Sequence, residues 1–598
     1  MKMACCSCFG AITTRCYSCR KRQRYRRKRK PSKCERVWFV FLIFTFLVAL
    51  VNSFYLFSVS NDSNEFNLYV WKTFEVWFPL YIIVLSVACV LFGYVALLLL
   101  FGIISVCLHQ RLCMHVIHKV LICFVFVYHV AILTLFTFLD PVLWILASRY
   151  FQFSGPFLHL IAVVFVTIVT WFVAAGLGVL CSRDVQVQYE LVADKDPLDG
   201  SDNKINKECS YLYNTNKIRV TIRDMTLVYL LLLIGLYITP IFIKSPCIMD
   251  YSDTPDKPLI FAHKGAEMLA PENTDMAFRI ALDDYKVHGI ESDVRISRDG
   301  VPYVMHDNNL RRTTNVKDIF PKRYMESADN FTIDELKSLN AGSWFMTRDP
   351  FLTAGMLSSE QKDHYRSQKI PTMQEMIRMV LKRNRTLLFD IRPPPSGHPY
   401  IESWLNVTLN TIRDEGIADQ DLEFWKAPNG PHYVVFIKVF DKRKIQNVHH
   451  SIPFKYISSN ATMNISTNVW NVKEKWLFSL FWCVGTSSVT TSACHTLQQL
   501  DSPSWQLSHQ HYLIMWILFD VASLVWVVVL FIIQISRRHQ SATVKSDRYN
   551  YTDFITLEEM TSNTASTTVN SAHMDAVSKK QTSTSTQSGL ERESNHVL

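Results

Sequence analysis

The start of this 598-residue chain lacks the features of a cleavable leader. Its first apolar run is longer than the core of a signal peptide, a long basic stretch precedes it, and no small-residue cleavage site follows it. Acidic residues are also scarce there, because residues 1–36 contain 13 Lys or Arg and a single acid, Glu35. We therefore expect the first apolar run to remain in the protein as a membrane helix.

A nucleic-acid recognition fold is missing as well, although the net charge is +10. The excess of basic residues within 1–36 alone exceeds that surplus, so the charge is local. Basic residues beside a membrane helix are explained by the positive-inside rule and by anionic lipid headgroups. The sequence therefore predicts membrane lipids, and no nucleic acid, as partners of this arm. It indicates no oligomeric state.

Apolar residues are abundant, since 49% of the chain is hydrophobic, and they are clustered into long runs. A run of about 20 such residues crosses a ~30 Å hydrocarbon core as a helix. Six runs have this length, at residues 37–58, 79–104, 119–139, 155–181, 225–243 and 512–534. The sequence thus predicts an α-helical integral membrane protein with six spans. Its parts are the basic arm 1–36, five helices with their loops over 37–243, an outer segment at 244–511, the sixth helix at 512–534 and a disordered tail at 535–598.

Three basic regions predict the orientation of the helices. They are the arm 1–36, the connection 182–224 and the pair Arg537-Arg538 after the last span. All three lie on the cytoplasmic side if both termini are cytoplasmic, as the positive-inside rule requires. The outer segment then faces the cell exterior or a lumen, at the plasma membrane or in the endoplasmic reticulum.

Glycosylation sequons support this orientation, because they are used only on the lumenal side. The sites expected to carry glycans are Asn61, Asn330, Asn384, Asn406, Asn460 and Asn464. One further sequon, at Asn550, falls in the predicted cytoplasmic tail.

Cysteines separate into two groups by predicted compartment. Six lie on the cytoplasmic arm, where we expect palmitoylation, since one C-x-x-C pair without a nearby histidine argues against a zinc cluster. The outer segment has only Cys247, Cys483 and Cys494, which permits one disulfide and one free thiol. The spacing does not select the pair.

The outer segment has the pattern of an α/β domain, and its length is close to the ~250 residues of a (β/α)8 barrel. Two helix starts are indicated by capping boxes, Thr332 with Glu335 and Thr372 with Glu375. Alternating strands and helices predict an inserted α/β domain of the TIM-barrel type, with an open α/β sheet as the alternative. The predicted strands lie at 259–262, 290–294, 302–305, 386–391, 433–437, 453–457, 465–470 and 487–491.

Chemically reactive side chains are concentrated near the ends of these strands. His263 follows the first strand, His306 follows the third, and Glu291 and Asp293 alternate on the second, so that both point to one face. In a barrel such ends converge on one mouth. A lone His or Asp at a strand end is more often a turn or cap residue, and a Glu-x-Asp strand is more often a solvated face. The clustering favours a functional site.

Two carboxylates placed in this way suit a hard divalent cation, Ca²⁺ or Mg²⁺, with Asp390 as a third candidate ligand. His263 and His306 titrate near neutral pH, so one can accept a proton while the other donates one. This combination is typical of a phosphodiesterase site.

The same residues fall in motifs that resemble those of the glycerophosphodiester phosphodiesterase family. The resemblance covers roughly residues 258–495, and the layout of six spans with the domain before the last is similar to the multi-span membrane branch of that family. The matching motifs are His263-Lys264-Gly265, Pro271-Glu272-Asn273-Thr274, Glu291-Ser292-Asp293, Asp299-Gly300-Val301-Pro302, His306-Asp307, Arg312-Thr313-Thr314 and Asp390-Ile391-Arg392.

The resemblance implies a barrel that hydrolyses a glycerophosphodiester or a lipid-linked relative, such as a glycosylphosphatidylinositol. His263 and His306 would be the acid/base pair, and Glu291, Asp293 and Asp390 the cation ligands. A substrate hydroxyl would attack the phosphorus, and water would then open the cyclic intermediate. The residues implied in substrate or phosphate binding are Lys264, Asn273, Arg392 and Trp470.

Several positions depart from the family pattern. Lys264 stands where the family has Arg, and Asp390-x-Arg392 stands where it has Glu-x-Lys, which alters the grip on phosphate. Ser492 stands where relatives often have Asp. A catalytically weak barrel retained for signalling or binding is therefore the alternative, and a transporter is the least favoured, because His129 and Asp520 read as packing residues.

Overall fold

A computed structural model describes the chain at residues 33–74, 77–107, 114–139, 143–193, 202–426, 433–437, 444–449 and 465–536. The chain divides into two compact units. One consists of Met1–Val169 with Leu227–Leu524, and the other of Thr170–Thr226 with Val525–Leu598. The first unit contains the outer segment and most of the apolar helices. The second contains the remaining parts of three of these helices.

The apolar runs form long helices. In chain order these are α1 (Lys33–Ser58), α2 (Ser63–Phe74), α3 (Leu80–Cys107), α4 (Val116–Leu139), α5 (Leu143–Ala193) and α6 (Asp202–Ile238), and a last helix covers His509–Ser536. All except α2 are long and apolar enough to cross a membrane, which makes six such helices among the described residues. Each predicted span overlaps one of them.

The fourth predicted span begins too late. Helix α5 starts at Leu143, whereas the apolar run was placed at 155–181. Polar residues such as Arg149 and Gln152 interrupt the hydropathy pattern, but the helix continues through them and through Pro156. Sequence hydropathy therefore locates the apolar part of a helix and not its ends.

Two polar side chains inside the apolar helices have local partners. Asn52 of α1 and His129 of α4 are hydrogen-bonded at 2.9 Å, and Trp516 Nε1 donates to Asp520 at 2.6 Å. The first contact joins two helices, and the second links residues four positions apart within the last helix. They agree with the interpretation of His129 and Asp520 as packing residues.

The described residues of the outer segment form a nine-stranded sheet. The strands follow the order β5-β6-β4-β2-β1-β9-β8-β7, and β3 pairs with β2 outside this path. Six neighbouring strands, from β4 to β7 along that order, are parallel, so that their carboxyl ends share one edge. The strands are β1 (Leu259–His263), β2 (Gly289–Ile296), β3 (Pro302–Val304), β4 (Thr386–Ile391), β5 (Leu422–Lys426), β6 (Tyr433–Ile437), β7 (Lys444–His449), β8 (Ile465–Trp470) and β9 (Ser488–Thr491).

This sheet differs from a ring of eight parallel strands. Strand β6 runs antiparallel to both β4 and β5, and β3 runs antiparallel to β2. Residues 427–432 are too few for the crossover that two parallel strands need, so β6 has to return beside β5 in the opposite direction. Strands β5 and β7 were not predicted, and the predicted strand 453–457 lies outside the described residues. The described strands therefore form part of a barrel-like sheet.

Short helices cover the sheet. The capping boxes predicted at Thr332 and Thr372 are both present, and each begins a helix. The helices are α7 (Asp275–Arg279), α8 (Val316–Ile319), α9 (Ile333–Ser338), α10 (Ser343–Arg348), α11 (Ser359–Arg366), α12 (Met373–Leu381), α13 (Trp404–Asp414), α14 (Lys475–Cys483) and α15 (Cys494–Leu497).

A disulfide joins Cys247, shortly after α6, to Cys483 at the end of α14. Cys494 is free and buried. The sequence had left this pairing open. Because the bond connects the start of the outer segment to its last helical region, it closes a loop of 236 residues. Closing so long a loop limits the conformations of the unfolded chain.

The predicted glycosylation sites differ in accessibility. Asn330, Asn384 and Asn406 are exposed, as a glycan requires. Asn61 is fully buried, and its amide nitrogen donates to the main-chain carbonyl of Asn471. A glycan on Asn61 is therefore incompatible with this packing, which corrects that expectation. Asn460 and Asn464 lie outside the described residues.

Candidate active site

Strand register brings the predicted site residues together. The Cα atom of His263 on β1 is paired with that of Glu291 on β2, and Asp293 is paired with Asp390 on β4. These strands are parallel, so the four side chains are carried by one region of the sheet. His306 follows β3, and Met305 N donates to Asp293 O at 3.0 Å, which ties that loop to β2. The predicted convergence is present.

A tight turn after β1 places the main-chain amide of Lys264 at the site. Lys264 and Gly265 have φ values of 53° and 79°. A Cβ atom on Gly265 would lie 2.7 Å from the main-chain carbon of Ala277, so only glycine fits between this turn and α7. The turn directs the amide N–H of Lys264 to Glu291 Oε2 at 3.1 Å.

Asp293 is held from both sides. Asn273 donates from Nδ2 to Asp293 Oδ2 at 3.1 Å, and Arg392 donates from Nη2 to Asp293 Oδ1 at 2.9 Å. Asn273 is itself oriented by Ser292, whose hydroxyl donates to its side-chain oxygen at 2.7 Å. Asn273 therefore contacts a carboxylate directly and helps to hold Asp293 in position.

Arg392 connects three parts of the site. Its Nη2 also donates to Asp390 Oδ2 at 2.9 Å, and its Nη1 donates to the main-chain oxygen of His306 at 2.9 Å. The guanidinium therefore lies between Asp293 and Asp390. The positive charge of Arg392 compensates the negative charges of these two carboxylates, which have limited access to solvent ions.

Each of the two histidines has a carboxylate on Nδ1. His263 Nδ1 lies 2.6 Å from Glu267 Oε1, and His306 Nδ1 lies 2.7 Å from Asp307 Oδ1. When Nδ1–H donates to a carboxylate, the nitrogen that can exchange protons is Nε2. His263 Nε2 is 3.7 Å from Glu291 Oε2, which directs this nitrogen into the carboxylate cluster.

The pKa values of the two histidines are shifted in opposite directions. Burial alone would lower the pKa of His263, but the charges of Glu267 and Glu291 outweigh it and raise that pKa above its ordinary value. Burial lowers the pKa of His306, and the charge of Lys264 lowers it further. A pair of titratable groups separated in this way is typical of an acid and a base that act together.

Burial and neighbouring charge also separate the pKa values of the carboxylates. Burial raises the pKa of Glu291 to about 8, and Asp293 and Asp390 add to the effect. Burial would raise the pKa of Asp293 too, but the positive charges of His306 and Arg392 outweigh it and lower that pKa. In the absence of a metal ion, Glu291 therefore binds a proton more tightly than Asp293 does.

Sequence reasoning missed three contributors. Glu267 was not selected, and Glu272 and Arg312 were noted in motifs without a role. Arg312 makes two hydrogen bonds of 2.6 Å to Glu272 and one of 2.7 Å to Asp307, and Lys264 Nζ lies 3.5 Å from Glu272. Since Lys264, Glu272 and Arg312 are buried and the side chain of Asp307 is only 10% exposed, this network fixes Asp307 behind His306. The sequence signal that could have indicated this network was the presence of Arg312 together with the carboxylates Glu272 and Asp307 in neighbouring motifs.

The residues fit a divalent cation by their chemistry but are not arranged around one. Within the described residues, no group of three or more His, Cys, Asp or Glu side chains is positioned to hold a metal. The reason is that the guanidinium of Arg392 lies between Asp293 and Asp390. The donors are nevertheless hard carboxylate oxygens, which are the ligands that Ca²⁺ and Mg²⁺ prefer.

Trp470, the last residue of β8, is 39% exposed. The next residue, Asn471, reaches the site by donating from Nδ2 to Ser492 Oγ at 3.0 Å. Trp470 thus lies at the edge of the sheet that carries the site, next to a residue that contacts it. Its predicted contact with substrate stays a prediction.

Comparison with known proteins gives consistent matches. The sequence profile of the glycerophosphoryl diester phosphodiesterase family matches residues 263–506. Glycerophosphodiester phosphodiesterase domain-containing protein 5 of Homo sapiens is 31% identical over 548 residues, which are 89% of this chain and 83% of that protein. Glycerophosphoinositol inositolphosphodiesterase of Mus musculus is 32% identical over 546 residues, 89% of this chain and 94% of that protein.

Glycerophosphodiester phosphodiesterase domain-containing protein 4 of Macaca fascicularis is 32% identical over 492 residues, which are 78% of this chain and 76% of that protein. These near-equal identities favour none of the numbered members. A phosphodiesterase of Oleispira antarctica, solved with the product sn-glycerol-3-phosphate, aligns with 42% of this chain and 97% of its own, at 19% identity and a TM-score of 0.30. From the profile and the full-length relatives, the chain belongs to the glycerophosphodiester phosphodiesterase family and is a phosphoric diester hydrolase.

Proposed function

We propose that this protein hydrolyses glycerophosphodiesters at the extracytoplasmic face of a membrane, with His263 and His306 as its acid and base. The observation that carries the proposal is the pair of histidines, each bound through Nδ1 to a carboxylate and shifted in opposite directions in pKa. Both histidines lie beside buried carboxylates, which suit a metal ion, and beside basic side chains, which suit a phosphate. The proposed orientation places both termini in the cytoplasm.

The opposite pKa shifts assign the proton transfers. His306, whose pKa is lowered, accepts the proton of a substrate hydroxyl as its oxygen bonds to phosphorus. His263, whose pKa is raised, gives a proton to the alcohol oxygen as the second phosphorus–oxygen bond breaks. Water then opens the cyclic phosphate with the two roles exchanged, which restores both histidines.

A divalent cation, Ca²⁺ or Mg²⁺, would be held by Glu291, Asp293 and Asp390, and would neutralise charge on the phosphoryl oxygens. Lys264 adds a fixed positive charge, since its ammonium group is buried beside Glu272. The planar guanidinium of Arg392 can donate two hydrogen bonds to a phosphate if it moves away from Asp293 and Asp390. The family's Arg and Lys have exchanged places here, so the two-donor contact with phosphate would come from Arg392, just after β4.

The substrate is a glycerophosphodiester, either free or linked to a membrane lipid. The mouse relative is named for glycerophosphoinositol, which makes this compound the first candidate. A lipid-linked diester is supported by the packing of the segment after α1, where Asn61 contacts Asn471 and Lys473 just beyond β8. This contact keeps the site-bearing edge of the sheet close to an end of the membrane helices.

The test is product release by cells that express the full-length chain. Choline, inositol and glycerol 3-phosphate are measured in medium and lysate from a panel of diesters, with Mg²⁺, Ca²⁺ or chelator. We expect release by the wild type, and loss on the order of 100-fold or more in His263→Ala and His306→Ala. His364→Ala, at an exposed position on α11, is the matched control.

The location of the product tests the orientation, because a membrane-impermeant diester reaches only an extracytoplasmic site at the cell surface. Loss of activity with chelator, and its return with one cation, tests the metal. Equal activity in His263→Ala and wild type would contradict the proposal. An absence of product from every diester would leave the alternative of a barrel retained for binding.

A further inference from the structure

Glu267 is a buried carboxylate that the proposed reaction does not yet use. It lies in the turn between β1 and α7, and its Oε1 is 2.6 Å from Nδ1 of His263. Its side chain is 8% exposed, so water does not compete for this contact. The hydrogen bond is therefore a fixed part of the site.

The far side of Glu267 is also held. Ser492, just after β9, donates its hydroxyl to Glu267 Oε1. Asn471, just after β8, donates from Nδ2 to Ser492 Oγ at 3.0 Å, and accepts the main-chain N–H of Ser492 at 3.3 Å. Residues from the ends of two further parallel strands thus fix the position of this carboxylate.

We propose that Glu267 is the positioning residue of His263: its carboxylate accepts the Nδ1–H, fixes the ring so that Nε2 faces the reacting atoms, and stabilises the imidazolium. Ser492 and Asn471 keep the carboxylate in place. The proposal rests on the proposed function, since it assigns Glu267 a role in that reaction. A carboxylate behind a catalytic imidazole is effective because it selects one tautomer and one orientation.

Charge balance for Lys264 is the competing explanation for Glu267. The ammonium group of Lys264 lies 3.5 Å from Glu272, which is the carboxylate that faces it. The hydrogen bonds of Glu267 go instead to His263 and Ser492. The geometry therefore points to the histidine.

Ser492 provides a second route to the same nitrogen. Its Oγ lies 3.5 Å from His263 Nδ1, so a carboxylate at position 492 can reach the ring. In the wild type, such a carboxylate would lie against that of Glu267 and repel it. The effect of Ser492→Asp should therefore change sign with the residue at 267.

The first experiment compares kcat and KM of purified full-length wild type, Glu267→Ala and Glu267→Gln. We expect kcat to fall by on the order of 100-fold in Glu267→Ala and by less in Glu267→Gln, which keeps a hydrogen-bond acceptor, while KM changes little. Glu360→Ala, at an exposed position on α11, is the matched control. If Glu267→Ala does not fold, Glu267→Gln carries the comparison.

The second experiment moves the carboxylate. Ser492→Asp alone should lower kcat, whereas Ser492→Asp added to Glu267→Ala should raise it by about 10-fold or more, since one carboxylate again faces Nδ1. A purely structural role of Glu267 predicts that the two substitutions add their losses. Unchanged kcat in Glu267→Ala, or Ser492→Asp that is equally harmful in both backgrounds, would overturn the proposal.

Failure of the proposed function is recognised separately. If the wild type releases no product from any diester, the ring orientation of His263 is compared by cryo-electron microscopy in the full-length wild type and Glu267→Ala. A ring that turns when Glu267 is removed supports the positioning role even then. A ring that keeps its orientation overturns it.

Discussion

The side-chain amide of Asn61 donates to the main-chain oxygen of Asn471 at 3.0 Å, and so joins residues 410 positions apart in sequence. The oxygen of the same amide accepts the main-chain N–H groups of Lys473 at 2.8 Å and Glu474 at 3.3 Å. One asparagine thus satisfies three main-chain groups that follow β8. Because Asn471 also contacts Ser492, which donates to Glu267, three contacts connect Asn61 to the carboxylate beside His263.

Asn61→Ala should destabilise the outer segment. The substitution removes the hydrogen bond to the side chain of Asp62 and those to three main-chain groups, at a cost of about 1–3 kcal/mol. Thermal unfolding of the full-length protein in detergent should show a lower midpoint than wild type. Asn64→Ala, at a partly exposed position in α2, is the control. An unchanged midpoint would mean that the contact contributes nothing to stability.

Removing single sequons should separate Asn61 from the others. Asn330, Asn384 and Asn406 are exposed, so Asn→Gln at each should increase electrophoretic mobility in a glycosidase-sensitive manner, given the proposed orientation. Asn61→Gln should cause no shift, because the wild-type amide is buried and bonded. A shift with Asn61→Gln would show that the loop after α1 is not packed in this way in cells.

The sequence predicted the positions of the candidate site residues on the sheet where strand alternation determines direction. Glu291 and Asp293 point to one side of β2 because they are two residues apart, and the register with β4 then supplies Asp390. It could not predict Glu267, whose approach to His263 depends on a turn with positive φ at Lys264 and Gly265. Such a turn has no periodic pattern to read.

The sheet illustrates the same limit. Strand β6 was predicted, but its antiparallel direction follows from the length of the connection to β5, which was not predicted. Strand β7 was missed because Lys444–His449 has no apolar alternation. The bridging position of Arg392 depends on its side-chain conformation, which spacing does not determine. The face of a strand to which a side chain points can be predicted from the sequence, whereas contacts made through turns and long side chains cannot.

Gly265→Ala should disrupt the turn that carries Lys264. A non-glycine residue at this φ of 79° costs about 1–2 kcal/mol, and the clash of its Cβ with Ala277 adds about 1–3 kcal/mol. Gly397→Ala is the matched control, because its φ is 87° but nothing lies within 4 Å of the added atom. We expect Gly265→Ala to lower the unfolding midpoint and the activity more than Gly397→Ala. Equal effects would show that the contact with α7 is not restrictive.

Affinity for the proposed cation should rise with pH. In the metal-free protein the pKa of Glu291 is raised from 4.5 to about 8 by burial, so below that pH a cation has to displace its proton. Calorimetric titration of the full-length protein with Ca²⁺ or Mg²⁺ should show proton release at pH 7 and tighter binding at pH 9. Glu291→Gln should weaken binding and remove the proton release.

The same pKa shift determines how stability depends on pH without metal. The folded state binds the proton of Glu291 more tightly than the unfolded chain does, so its contribution is complete below about pH 4.5 and is lost as pH rises through about 8. Between these values the unfolding midpoint of the wild type should fall relative to that of Glu291→Gln, and saturating cation should reverse the trend. A midpoint difference that is constant over this range would contradict both the raised pKa and the cation site built on it.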